Sequence, residues 1–153
     1  MAEQDMMKLY SKRILALASD IPHMQRLDTP DATVMKRSPL CGSTVTVDVT
    51  LDSEGRVAAF GQEVKACALG QSSASVFSAA VIGRTIEELR TARDQLKAML
   101  KEEGPVPDAP FEGYEALLPA RDYRNRHASI LLVPDATVEA MEKILAEKPA
   151  AAR

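Results

Sequence analysis

The stretch that decides the fold is Thr44-Val-Thr-Val-Asp-Val-Thr-Leu51. Val45, Val47, Val49 and Leu51 fall on one side of an extended chain, and Thr44, Thr46, Asp48 and Thr50 on the other. Strict period-two alternation with β-branched residues predicts an antiparallel strand with one buried face. Asp52-Ser-Glu-Gly55 supplies a turn, with Gly55 suited to positive φ. Residues 56–66 return as a strand, with Ala58, Phe60, Val64 and Ala66 alternating around Gln62. Upstream, Ala32 to Lys36 is a short third strand.

Helical patterns flank these strands. Met6, Leu9, Tyr10, Ile14 and Leu17 predict an amphipathic helix over residues 5–20, followed by a loop over 22–31 rich in proline and aspartate. Small and apolar residues predict a helix over 71–82, with Gly83 as its C-cap. Thr85 and Glu88 form a capping box that opens the next helix, which Gly104-Pro105 stops. Residues 105–113 carry three prolines and read as a loop, and 112–119 as a short helix. A further helix starts near Asp122 and passes His127; Pro134 either kinks it or opens a last helix. Residues beyond about 148 read as a frayed tail. The order is one helix, then strands, then helices only. That segregation predicts a single α+β domain over 1–153, a small three-stranded antiparallel sheet with helices on one face.

At 153 residues the chain buries enough apolar surface to fold without a disulfide or metal. A formal charge of −3 speaks against nucleic acid as a partner. No apolar run is long enough to cross a membrane, and Met1–Lys8 lacks the pattern of a signal peptide, so a cytoplasmic protein is expected. Cysteines stay reduced there, so Cys41 and Cys67 point to ligation or thiolate chemistry, with two small buried hydrophobes as the bland alternative.

Cys41 precedes the 44–51 strand and Cys67 follows its partner, so a hairpin brings both thiols to one end of the sheet. His127 stands downstream in Arg126-His-Ala-Ser-Ile-Leu131. Two thiols and an imidazole favour iron or zinc. Cys67 lies just before a helix N-terminus, where negative charge is favoured. Gly42 and Gly70 leave room beside each sulfur, and Arg124 and Arg126 could offset the charge of two thiolates. The plainer alternatives are a capping histidine and a solvated arginine face.

Cys41-Gly42, the strand pair, Cys67 before a small-residue helix, and His127-Ala-Ser-Ile-Leu131 resemble the U-type iron–sulfur cluster assembly scaffold family, which includes the N-terminal domain of the nitrogen-fixation scaffold. The resemblance runs from about Lys8 to Leu145 in the order of elements. It implies a NifU-like protein that binds iron, a 2Fe–2S cluster or zinc through Cys41, Cys67 and His127. Sulfur would come from a cysteine desulfurase, and the cluster would pass to apo iron–sulfur client proteins. Two departures stand out: Ala128 replaces the family's third cysteine, and Ser43 replaces the aspartate after Cys-Gly. Ser43, Asp122, water or an external group would then fill a fourth position, an open site. A homodimer could share a cluster through Cys41 and Cys67 of each subunit.

Three functions compete. The first is a scaffold-like carrier and not an enzyme. The second is a degenerate paralogue that binds zinc or iron in a regulatory or metal-carrier role, without accepting sulfur. The third, a Cys67 nucleophile with His127 as base, lacks any local catalytic signature.

Overall fold

The computed structural model describes residues 11–39 and 42–147. Its elements are α1 (Lys12–Ser19), β1 (Ala32–Arg37), β2 (Thr44–Leu51), β3 (Val57–Lys65), α2 (Ala68–Ala79), α3 (Ile86–Lys101), a 3-10 segment (Glu112–Asp122) and α4 (Arg124–Glu147). The strands form one antiparallel sheet in the order β1-β2-β3, so the α+β architecture read from the sequence holds. Met6, Leu9 and Tyr10 of the expected first helix, and the expected tail, lie outside the described residues.

Val45, Val47, Val49 and Leu51 of β2 are all buried, joined by Val34, Phe60 and Val64 of the flanking strands. Each such side chain contributes about 1.5–3 kcal/mol on leaving water. α4 packs across β1 and β2, and α2 packs on β3. The opposite sheet face carries exposed Thr33, Met35, Glu63 and Lys65. A register irregularity at Thr50/Leu51 pairs Leu51 with Val57. Val57 therefore enters the core and Ala58 is exposed, reversing the inward position expected for Ala58.

Asp48 corrects the simple alternation. It lies on the polar side of β2, yet is fully buried. The loop before β1 crosses that side of the sheet. Arg26 Nε and Nη2 donate to the Asp48 carboxylate at 2.7 and 3.2 Å, and the Leu27 N–H donates at 2.9 Å. Thr33 Oγ1 donates to it as well. Gly61 faces Asp48 across the sheet. A Cβ there would stand 2.3 Å from the Gln25 carbonyl oxygen, so only glycine lets the loop pass this close. Burial alone would raise the Asp48 carboxyl; the hydrogen bonds from Arg26, Thr33 and Leu27 outweigh it and hold the group below its ordinary value.

α2 begins at Ala68 and ends at Ala79, earlier at both ends than the small-residue run suggested. Gly83 is a turn residue at φ +86°, beyond the helix end, and its N–H donates to Val57 O. The serines of α2 are buried and bonded in three directions. Ser72 Oγ donates to Ile14 O of α1, Ser73 Oγ to Ile130 O of α4, and Ser78 Oγ accepts from Gln62 Nε2 of β3. α3 opens with the expected capping box, Glu88 N–H to Thr85 Oγ1 and Thr85 N–H to Glu88 Oε1.

Pro134 lies inside a single helix, α4, and opens no new one. Proline has no N–H, so the carbonyl four residues earlier, that of Ile130, loses its helical partner. Ser73 Oγ–H occupies that carbonyl. The buried Tyr114 hydroxyl donates to Ser73 O at 3.0 Å and lies 3.0 Å from Ser73 Oγ. Burial pushes the Tyr114 phenol well above its usual range, so it stays a neutral hydrogen-bonding group.

Candidate functional site

Cys67 is the N-cap residue of α2, in extended conformation, with no side-chain hydrogen bond to the helix amides. Thr44 pairs with Lys65, so the chain leaves β3 for Cys67 at the sheet end where the β1–β2 turn lies. Ser38 N–H donates to Ser43 O at 2.8 Å and Gly42 N–H to Ser38 O at 3.1 Å, closing that turn. Cys41 lies outside the described residues.

The Cys67 thiol is partly exposed and lies 3.7 Å from Ser129 Oγ. Ser129 Oγ in turn donates to Ser43 Oγ at 3.0 Å. A thiol, a hydroxyl of α4 and a hydroxyl at the foot of β2 thus form one polar chain. With the Ser129 proton directed at Ser43, a neutral Cys67 donates S–H to Ser129. If Cys67 is a thiolate, rotation of the same hydroxyl directs its proton to sulfur. Ser129 therefore serves both states of the thiol.

Ser129 was not singled out from the sequence. The signal was present in two short motifs: a glycine three residues after Cys67 and a serine two residues after His127. A Cβ on Gly70 would come 2.6 Å from Ser129 Oγ and 2.8 Å from Ala66 Cβ. The space expected beside the sulfur for a metal is thus the space Ser129 uses.

His127 is buried. Its Nε2 lies 2.9 Å from Ala120 O and 3.1 Å from Arg121 O. Carbonyls only accept, so Nε2 carries a proton and, in the neutral ring, Nδ1 keeps its lone pair. His127 and Ser129 are two positions apart on α4, or about 200° around the helix axis, and so leave it in different directions. Ser129 meets Cys67, whereas His127 lines a cleft with Asp122, Glu103 and Arg124. Asp122 is exposed in that cleft, and Ser43 is buried against Ser129. Among the described residues no group of three His, Cys, Asp or Glu side chains is placed to hold a metal ion. No helix among them is long and apolar enough to cross a membrane.

A model of the NifU-like N-terminal domain matches residues 9–128. The chain belongs to this family. Its sequence is 45% identical to a nitrogen-fixing NifU-like protein (N-terminal) from Brucella abortus. That match covers 94% of this chain and 99% of the other, with a TM-score of 0.90. A putative iron–sulfur cluster assembly scaffold protein for the SUF system, from thermophilic Fervidobacterium islandicum AW-1, shares the fold at a TM-score of 0.78 and 18% identity, over 88% of this chain and 98% of that one. No curated protein matches. The NifU-like match spans β1–β3, α2 and the start of α4, the elements that carry Ser43, Cys67 and His127.

Proposed function

We propose that this chain is an iron–sulfur cluster assembly scaffold, with iron or a 2Fe–2S cluster as its cargo and Cys41, Cys67 and His127 as the ligands. The observation that carries this reading is a partly exposed Cys67 at the N-terminus of α2, at the sheet end that bears the β1–β2 turn, in a NifU-like chain. The donor set suits the cargo: thiolate and neutral imidazole bind iron and zinc. The helix N-terminus favours the negative charge of a thiolate, and Ser129 can turn its proton toward it. The Nε2–H of His127 donates to backbone carbonyls, the second bond that metal-bound histidines commonly make, and this leaves Nδ1 as the ligating atom. Sulfur would come from a cysteine desulfurase and the cluster would pass to apo-proteins in the cytoplasm, without turnover of a small substrate.

A second reading is favoured by Ala128 and by Ser43, whose hydroxyl is already engaged with Ser129. On it, the chain is a paralogue that holds zinc or iron as a regulator or metal carrier and takes up no sulfur.

Anaerobic purification followed by iron, zinc and sulfide analysis separates the two. Iron with acid-labile sulfide and visible absorption is the expected result. A colourless zinc protein that takes up no cluster from desulfurase and iron selects the second reading. Protein that retains no metal and takes up none rejects both.

A further inference from the structure

A groove of about 720 Å³ runs beside α1. Arg13, Ala16, Leu17 and Asp20 recur along one face of α1 and form one side of it. Val76 and Ala79 of α2, with Pro110, supply apolar lining, and the 3-10 segment supplies Glu112 and Glu115. The α2 lining lies two turns or more beyond Cys67, so the groove is separate from the thiol. Arg13, Asp20, Glu112 and Glu115 are exposed and form no ion pair with a described residue.

The charges of α1 run against its own dipole. The first turn holds Lys12 and Arg13 and no acid, the last turn holds no base, and the C-cap is Asp20. A helix is partially positive at its N-terminus and negative at its C-terminus, so each end bears the disfavoured sign. Such a breach of local rules is expected where residues serve a contact beyond their own element. Leu15, on the adjoining face of α1, is 52% exposed.

The face is self-complementary. Arg13 and Asp20 stand two turns apart on one line of the helix, with Ala16 and Leu17 midway between them. We propose that two copies of this chain associate through α1, packed antiparallel about a two-fold axis at that midpoint. Each Arg13 then meets Asp20 of the other copy, and each Ala16 meets the other copy's Leu17. The small Ala16 lets the two axes approach closely. Each α1 thereby enters the groove of the other copy, with Leu15 against its apolar lining and Lys12 toward Glu112 and Glu115. A two-turn helix and one groove cover less than the roughly 800 Å² per partner of a standard interface, so the dimer exchanges with monomer. The pairing uses neither Cys67 nor His127 and does not rest on the ligand reading given above.

Sedimentation equilibrium of the full chain over a wide concentration range tests the proposal. A monomer–dimer equilibrium is expected, weakened in about 0.5 M salt, which screens the ion pairs. Arg13→Glu and Asp20→Lys should each weaken association at least about tenfold, roughly 1.4 kcal/mol, because symmetry breaks two pairs at once. The double variant Arg13→Glu/Asp20→Lys should recover to within about threefold of the wild type. Leu15→Ser, at an exposed position, should weaken association without touching a charge. Both reversals give the ends of α1 the favoured sign, so urea unfolding of dilute protein should find these variants at least as stable as the wild type, which separates lost association from lost fold. A chain that is monomeric at every concentration, a dimer indifferent to the single reversals, or a folded double variant that fails to re-associate overturns the proposal.

Discussion

The Ile130 carbonyl offers a sharp test of how α2 and α4 are joined. Pro134 deprives it of a helical N–H, and Ser73 Oγ–H takes the vacancy in a fully buried setting. Ser73→Ala removes that donor. The loss is the penalty of leaving a buried carbonyl unpaired, about 1–3 kcal/mol. Tyr114 is not orphaned, because its hydroxyl keeps the Ser73 backbone carbonyl at 3.0 Å. Pro134→Ala restores an N–H that can reach Ile130 O along the helix. In that background Ser73→Ala should cost at least about 1 kcal/mol less, because the carbonyl already has a donor. Urea unfolding of the wild type, both single variants and the double variant measures the four stabilities, with m values checked for constancy. Additivity within about 0.5 kcal/mol would refute the reasoning, since independent sites add to that precision and these two are held to share one acceptor.

Asp48 should govern part of the acid sensitivity. Its folded value lies below the ordinary 3.8, so its contribution is complete above about pH 4 and is lost as pH falls through the folded value. Stability of the wild type should therefore drop more steeply than that of Asp48→Asn between about pH 5 and pH 2; parallel curves would remove Asp48 as the cause. Gly70→Ala should displace Ser129, cost about 1–3 kcal/mol, and change the alkylation rate of Cys67 measured in a Cys41→Ser background. An unchanged rate would show that Ser129 does not govern the thiol. Ala128→Cys should slow zinc loss to a chelator, because it adds a thiolate to a short ligand set, and an unaltered loss rate would place residue 128 away from the metal.

What was legible in the sequence was local. The alternation of β2, the Thr85–Glu88 capping box and the position of Cys67 before α2 each depend on residues within a few places of one another. What was not legible depends on chain returning from far away. Asp48 looks like a solvent-facing strand residue until the loop carrying Arg26 and Leu27 covers it. Ala58 looks inward until the irregularity at Leu51 shifts the register. Gly70 reads as space for a metal, because nothing near it in sequence announces Ser129. His127 and Ser129 sit in one short motif, yet they leave the helix in different directions, about 200° apart, which period-free motif matching does not resolve.

The placement of Cys67 follows from the way α2 is held. An amphipathic helix can rotate or slide at modest cost while its apolar face stays buried. α2 cannot, because Ser72, Ser73 and Ser78 are hydrogen-bonded to α1, α4 and β3 respectively. A small rotation would leave several buried polar groups unpaired, at about 1–3 kcal/mol each. The N-cap of α2 is therefore fixed from three sides, and Gly70 lets α4 approach until Ser129 touches the thiol. A site residue on so constrained an element is not tuned by moving it. Differences in ligation between relatives should then arise from what surrounds Cys67, namely residues 43, 128 and 129. Ala128 is partly exposed and lines open space, so a thiol can be placed there without repacking the core. For that reason the Ala128→Cys variant should keep wild-type stability while its hold on metal increases; a variant that gained metal only after losing stability would show that the site is adaptable and α2 is not the rigid element argued here.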